Sequence, residues 1–112
     1  MMFEAGSLVV VPFPFSDLTG TKRRPVLLMT PPDAYGDFIA MAVTSQSGHA
    51  ASIAILPNLI ESGTLPKASW IRTDKIVSLN QSLIVKTVAK IDEALRLQAA
   101  RHLCVKLQEI YQ

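Results

Sequence analysis

The sequence predicts a mainly β fold with one C-terminal α-helix, that is, an α+β protein. Short apolar runs rich in β-branched residues follow one another, and each ends at proline, glycine or a polar turn. The pattern changes to helical spacing after Asp92, a residue that is favoured as an N-cap. Because closing a small antiparallel sheet removes its exposed edges, a compact antiparallel β-barrel is the expected architecture.

The individual elements follow from these runs and from the residues that stop them. Pro12 and Pro14 require the first strand to end or to lie at an edge, because proline cannot donate a ladder hydrogen bond. One helical turn or an irregular loop is expected over Asn58–Gly63, since Gly63 and Pro66 forbid anything longer. The predicted strands are Ser7–Phe13, Pro25–Thr30, Phe38–Thr44, Ser52–Leu56, Ala68–Thr73 and Leu83–Ile91.

The terminal helix is predicted from Asp92 to the C-terminus. Its apolar residues recur at helical spacing, and this stripe should pack on the sheet. The stripe consists of Leu95, Ala99, Leu103, Leu107 and Ile110.

Composition restricts the class of protein. A chain of 112 residues with 49% hydrophobic and 18% charged residues fits one domain with a real core. The net charge of +2 permits contact with nucleic acid but does not argue for it. Cys104 is the single cysteine, which suits a reducing, cytoplasmic location. No signal peptide is recognised, and no apolar run is long enough to cross a membrane.

The loop between the first two strands holds the first half's cations. Asp17-Leu18-Thr19-Gly20 has the residues of a type I turn, and Lys22-Arg23-Arg24 follows where the second strand begins. Such a cluster beside a stiff apolar wall is suited to binding an anion. An ordinary hairpin loop with solvated cations is the alternative.

Two further polar groups lie at strand ends or on strand faces. Thr44-Ser45-Gln46 follows an apolar strand. Arg72 and Asp74 alternate with buried positions, so they should share one face about 7 Å apart along the strand. That pair fits either a structural ion pair or an active site.

The histidines and the aromatic residues are weaker candidates for a functional site. His49 and His102 are expected to be plain surface or packing residues, and with one cysteine they do not make a metal site. Phe13, Phe15 and Trp70 could stack on bases, although a small barrel needs such aromatics in its core.

Three blocks in order give the sequence a resemblance to a known family. The stretch from Gly6 through Pro25 resembles the opening signature of the PemK/MazF family of toxin endoribonucleases. Val43-Thr44-Ser45 resembles the family's Thr-Ser at the end of a core strand. Ser69–Asp74, followed by Ile76–Asn80, resembles the block that carries an Arg-x-Asp pair in plasmid-borne members. The resemblance covers nearly the whole chain.

This resemblance implies a single toxin domain over residues 1–112 with an SH3-like β-barrel and an added helix, usually as a homodimer. It implies an mRNA interferase, a growth-inhibiting enzyme that cleaves single-stranded RNA without a metal or other cofactor. Attack by the RNA's own 2′-hydroxyl would leave a 2′,3′-cyclic phosphate. The implied partners are RNA and a cognate antitoxin protein, with DNA contacted only through the antitoxin and no membrane association.

The family's site residues carry over by position. Arg24 would hold the scissile phosphate, and Thr44 would be the second active-site residue. Asp74 is the one matching carboxylate that could take the 2′-proton, although pairing with Arg72 makes it a weak base. The implied catalytic residues are Arg24, Thr44, Arg72 and Asp74, and the implied substrate contacts are Lys22, Arg23, Ser45 and Gln46.

The sequence departs from the family at two places. Plasmid-type members carry a histidine in the first loop, but residues 13–25 contain none. Ala89 stands where many relatives have glycine. The missing histidine keeps a second reading open, a catalytically inactive family member that binds RNA or an antitoxin. A peptide-binding small-barrel module is the third.

Overall fold

The computed structural model describes residues 2–13 and 22–109, with the side chain of Phe13 excepted. Single-turn 3-10 helices cover Pro57–Leu59 and Gln81–Leu83. The strands are β1 (Ser7–Phe13), β2 (Lys22–Leu28), β3 (Asp37–Thr44), β4 (Ser52–Ile55), β5 (Ile60–Gly63), β6 (Ser69–Asn80) and β7 (Lys86–Ile91), and helix α1 (Glu93–Glu109) follows them.

The strands form one curled sheet in the order β4-β6-β3-β2-β1-β7-β5. Every ladder between described strands is antiparallel. The sheet curls into a half-barrel, with α1 packed on one side. The predicted mainly β fold with an SH3-like antiparallel barrel and a C-terminal helix is confirmed.

The sheet buries side chains on both faces. The helix-side face contributes Leu8, Leu27, Met41 and Ile71 to a core that includes Leu95 of α1. The opposite face, called the far face below, has its own core. Because side chains alternate along a strand, the neighbours of the helix-side residues point to this second core. It contains Val9, Val11, Val26, Leu28, Phe38 and Ala40.

The second strand differs from its prediction at both ends. It begins at Lys22 rather than Pro25, because Pro12 and Phe13 of β1 pair with Arg23 and Lys22. It ends at Leu28 rather than Thr30. Pro12 was predicted to lie at a strand end or edge. This is confirmed, because β7 pairs with β1 only from Ser7 to Val10 and so leaves the other side of Pro12 without a strand partner among the described residues.

Smaller differences affect the next two strands. The third begins at Asp37, one residue before its predicted start at Phe38. The fourth ends at Ile55 rather than Leu56. Loop 14–21, which holds the predicted type I turn and Phe15, lies outside the described residues.

The segment predicted as a helical turn or loop over Asn58–Gly63 contains a strand as well as a turn. The 3-10 turn over Pro57–Leu59 leads into β5, whose Ile60 and Ser62 pair with β7. Gly63 has φ +78°, and a Cβ there would lie 2.2 Å from the carbonyl oxygen of Val88. A residue without a side chain therefore lets β5 approach β7 closely.

The last two strands have bounds that differ from the prediction, because the first continues through a bulge and a 3-10 turn precedes the second. The strand predicted over Ala68–Thr73 continues to Asn80. The strand predicted over Leu83–Ile91 begins only at Lys86, because Gln81–Leu83 form a 3-10 turn. In that turn the Asn80 side chain accepts a hydrogen bond from the Ser82 backbone N–H.

Helix α1 begins at Glu93, where the Asp92 carbonyl accepts hydrogen bonds from the backbone N–H groups of Leu95 and Arg96. Leu95 and Ala99 are buried against the sheet. The predicted packing of the apolar stripe on the sheet is confirmed at these two positions, whereas Leu107, nearer the end of the helix, is 49% exposed. Ile110 lies outside the described residues.

Candidate active site

The sheet register brings three sequence-predicted residues to one face. Ala42 of β3 pairs with Val26 of β2 and with Arg72 of β6. Continuing the β2–β3 register places Arg24 opposite Thr44. Since directly opposed residues and alternate residues share a face, Arg24, Thr44 and Arg72 all lie on the far face.

These residues line a cleft of about 330 Å³, called the far-face cleft below. Arg24, Thr44 and Arg72 are half-buried there, whereas Ser45 and Gln46 are exposed. Neighbouring strands lie about 4.8 Å apart, so the strands of Arg24 and Arg72 are about 10 Å apart. The described lining consists of Arg24, Ala42, Val43, Thr44, Ser45, Gln46, His49, Arg72 and Lys75.

Arg72 and Asp74 form the ion pair that strand alternation predicts. The Arg72 Nε donates to Asp74 Oδ1 and its Nη2 donates to Asp74 Oδ2, both at 3.0 Å. The hydrogen bond from Arg72 holds the pKa of the Asp74 carboxyl below its usual range. Asp74 is not among the described residues that line the far-face cleft, but it is hydrogen-bonded to Arg72, which does line it.

A bulge in β6 creates this geometry. Ala42 pairs with Arg72, yet the preceding residue Met41 pairs with Ile76, so the residues between Arg72 and Ile76 are extra. Such bulges redirect side chains and are common beside active sites. Here the bulge brings Asp74 back to Arg72 and places Lys75 on the lining of the cleft.

The β3–β4 connection, residues 45–51, forms another wall of the cleft. Both strands pair with β6, on its two sides, so this connection must cross β6. At its start, the Gln46 backbone N–H donates to Thr44 Oγ1 at 3.1 Å. At its end, the Ser52 hydroxyl donates to the His49 carbonyl at 2.7 Å. Between them, Gly48 has φ +94°, a left-handed backbone conformation that glycine adopts without strain.

Sequence reasoning missed two lining residues of this cleft. His49 was expected to be a plain surface or packing residue, but it is half-buried and lines the far-face cleft. Lys75 lines it as well. The one sequence signal for His49 was its position in the connection that follows Thr44.

A second cleft, called the basic cleft below, opens on the helix-side face at the same end of the sheet. It encloses about 490 Å³, and Arg24 and Ser45 border both clefts. Lys67 and Lys86 join it from the β5–β6 connection and β7, a contribution that the sequence did not indicate. Its described lining is Val10, Lys22, Arg23, Arg24, Pro25, Val43, Ser45, Leu65, Pro66, Lys67, Ser69, Lys86 and Val88.

Other candidate residues lie away from the two clefts. Trp70 is half-buried and lines neither of them. His102 of α1 is exposed, and its Nδ1 is hydrogen-bonded to the buried Thr73 Oγ1 at 2.7 Å. Within residues 2–13 and 22–109, no three His, Cys, Asp or Glu side chains are grouped closely enough to hold a metal ion. No helix in this part of the chain has the length and apolar character needed to cross a membrane.

Comparison with known sequences decides the family. The sequence profile of PemK-like, MazF-like toxins of type II toxin–antitoxin systems matches residues 4–107. The chain belongs to this PemK/MazF-like toxin family. No curated protein sequence matches it.

Solved structures of PemK/MazF-like toxins have the same fold. MazF from Deinococcus radiodurans superposes with a TM-score of 0.75 at 22% identity, covering 96% of this chain and 98% of that one. An endoribonuclease from a mycobacterial species, solved with its cognate antitoxin, has a TM-score of 0.71 at 16% identity, covering 95% of each chain. At these identities the likeness shows the fold alone.

Proposed function

We propose that this PemK/MazF-like protein is the toxin of a type II toxin–antitoxin system and acts as an endoribonuclease on single-stranded RNA. One observation carries the proposal. Three strands place Arg24, Thr44 and Arg72 on one face, where they line a single cleft. Two guanidinium groups and a hydroxyl in one cleft suit a phosphodiester, because guanidinium groups match pairs of phosphate oxygens.

The proposed reaction is an in-line transesterification. The 2′-hydroxyl of the RNA attacks the adjacent phosphorus, a 2′,3′-cyclic phosphate forms, and the 5′-oxygen leaves. Arg24 and Arg72 stabilise the charge that develops on the phosphate oxygens, and Thr44 donates a hydrogen bond to one of them. The nucleophile comes from the RNA, so the protein needs to orient the phosphate, stabilise charge and move protons. No metal or other cofactor enters this proposal.

In this proposal Asp74 does not accept the proton from the 2′-hydroxyl. A carboxylate whose pKa is lowered by Arg72 holds protons weakly. Its bidentate contact instead fixes the plane of the Arg72 guanidinium. Asp74 is thus a positioning residue for Arg72, which remains the group that contacts the phosphate.

The substrate is single-stranded because in-line attack needs a splayed backbone, which a duplex resists. Ser45 and Gln46 line the far-face cleft, whereas Lys22 and Arg23 line the basic cleft. An RNA strand that passes over this end of the sheet would meet both sets. Binding through such cations should weaken as salt rises.

The proposed partners follow from family membership. A cognate antitoxin would bind this protein, as it does the mycobacterial endoribonuclease whose solved structure is a complex with its antitoxin. We place the pair in the cytoplasm, with the toxin as a homodimer and DNA contacted only through the antitoxin.

The test is cleavage of a long single-stranded RNA in EDTA by the purified protein and by Arg24→Ala. Fragments that end in 2′,3′-cyclic phosphate are expected from the unsubstituted protein. Arg24→Ala should lower the rate at least about 10²-fold, the typical effect of losing one charge-stabilising donor. Arg101→Ala, an exposed arginine on α1, is the matched control and should leave the rate unchanged.

The alternative is an inactive family member that binds RNA or an antitoxin without cleavage. It is favoured by the engagement of Asp74 with Arg72, which leaves that carboxylate a poor base. Intact RNA after incubation, with binding retained in a gel-shift measurement, would support this alternative and overturn the enzyme.

A further inference from the structure

We propose that His49 is the proton acceptor for the attacking 2′-hydroxyl, a role that rests on the proposed ribonuclease function. Imidazole is the side chain that exchanges protons most readily near neutral pH. His49 and the residues proposed to hold the phosphate line the same cleft, although His49 comes from the β3–β4 connection rather than from a strand.

The fold gives His49 a defined position. The connection that carries it must cross β6, and its shared lining with Arg72 places the crossing on the far face. Gly48, immediately before His49, has φ +94°, and the Ser52 hydroxyl donates a hydrogen bond to the His49 carbonyl at 2.7 Å. Ser52 itself pairs with Arg72. His49 is therefore held, half-buried, beside the β6 residue that carries the guanidinium.

The other polar groups of the far-face cleft are poor proton acceptors. Arginine and lysine side chains are protonated at neutral pH, and the hydroxyls of Thr44 and Ser45 are weak bases. Asp74 is held ionised by Arg72 and does not line the cleft. Among the described lining residues, His49 is the one side chain suited to accept a proton.

The proposed step needs no reactant other than the RNA, His49 and water. The proton of the 2′-hydroxyl passes to the unprotonated imidazole nitrogen as the O2′–P bond forms. The P–O5′ bond breaks, and the 5′-oxygen takes a proton from water. The imidazolium then returns its proton to solvent, which restores His49 for the next turnover.

The test compares His49→Ala and His49→Gln with the unsubstituted protein in two assays. The first is the cleavage rate of a single-stranded RNA under excess protein, and the second is binding of the DNA strand of the same sequence, which lacks the 2′-hydroxyl. We expect cleavage to slow by about 10²- to 10⁴-fold, the usual contribution of general acid–base catalysis, with binding changed less than about threefold. Added imidazole should restore part of the activity of His49→Ala.

The matched control is His102→Gln, because His102 lines neither of the two clefts. Its cleavage rate should stay within about threefold of the unsubstituted protein. Cleavage by the His49 variants at the unsubstituted rate would overturn the role of His49 alone. A loss of DNA binding that matches the loss of rate, without rescue by imidazole, would also overturn it. If the unsubstituted protein leaves RNA intact, the proposed function fails and the role of His49 fails with it.

Discussion

Arg72 donates two parallel hydrogen bonds to Asp74, from Nε and from Nη2, each 3.0 Å long. Both oxygens of the carboxylate that the resemblance to the family suggests as a proton acceptor are thus hydrogen-bonded to the neighbouring guanidinium. The pair joins a 15% exposed Arg72 side chain to a 38% exposed Asp74 side chain. These two hydrogen bonds hold the Arg72 guanidinium in place, so in the proposed reaction a residue other than Asp74 accepts the proton.

Replacing Asp74 by asparagine should make the protein less stable at neutral pH but not in acid. Because the folded-state pKa of Asp74 lies below the unfolded value of about 3.9, its contribution is present above that value. The contribution disappears as pH falls through the lower folded-state pKa. For so exposed a pair we expect a loss of about 0.5 kcal/mol at pH 7.

Urea unfolding of Asp74→Asn and the unsubstituted protein at pH 7 and in stronger acid measures this effect. The difference in unfolding free energy should shrink towards zero as the Asp74 carboxyl becomes protonated. A difference that stays the same at both pH values would contradict the ion-pair explanation.

The RNA cleavage rate should depend more on the hydroxyl group of Thr44 than on its methyl group. Its Oγ1 accepts the Gln46 N–H at the start of the β3–β4 connection, and it lines the far-face cleft. Thr44→Val removes the hydroxyl while keeping the shape, and we expect cleavage to slow by about 10- to 100-fold, the equivalent of one charge-assisted hydrogen bond.

Thr44→Ser is the matched variant, because it keeps the hydroxyl and removes the methyl group. Its cleavage rate under excess protein should stay within about fivefold of the unsubstituted protein, since a serine hydroxyl donates and accepts the same bonds. Equal rates for the valine and serine variants would show that the hydroxyl takes no part in the reaction.

Local pattern sufficed for much of the fold but not for features that depend on a neighbouring strand. The alternation of Ser69, Ile71 and Thr73 with Arg72 is visible in sequence, and these residues have the expected burial. The continuation of β6 past Lys75 was not visible, because the bulge depends on the register of β3. Strand β5 was missed for the same reason, since it exists only where β7 supplies a partner.

Some residues of the candidate site could likewise be predicted from the sequence, and others could not. Resemblance to the family indicated Arg24, Thr44 and Arg72, and the sheet register brings them into one cleft. For His49 the only sequence signal was its position after Thr44, and for Lys75 there was none. His49 lies in a connection that crosses β6, and Lys75 lies in the bulge of β6. Both positions depend on contacts between residues that are far apart in the chain.

Two glycines with positive φ should respond very differently to alanine. At Gly63 a Cβ would lie 2.2 Å from the Val88 carbonyl oxygen, whereas at Gly48 nothing lies within 4 Å. Gly48→Ala should cost only the left-handed backbone conformation, about 1–2 kcal/mol. Gly63→Ala adds a backbone collision between β5 and β7, so its loss in urea unfolding should be larger by at least about 2 kcal/mol. Equal losses would mean that β5 can move away from β7 without cost.

The contributions of Thr73 in β6 and His102 in α1 to the free energy of unfolding should depend on each other. Thr73 is 2% exposed, and its Oγ1 lies 2.7 Å from His102 Nδ1. Thr73→Val keeps the shape but removes the hydroxyl, and we expect a loss of about 1 kcal/mol in unfolding free energy. Thr87→Val, at an exposed position of β7, is the matched control and should change stability by less than about 0.5 kcal/mol.

A double-mutant cycle with His102→Ala distinguishes this bond from general packing. If the hydrogen bond provides the stabilisation, the double variant should lose less than the sum of the two single variants, by about 0.5–1.5 kcal/mol. Additive losses would mean that Thr73 and His102 contribute separately. Losses that are less than additive would show that the Thr73–His102 hydrogen bond itself holds α1 on β6 and so stabilises the fold.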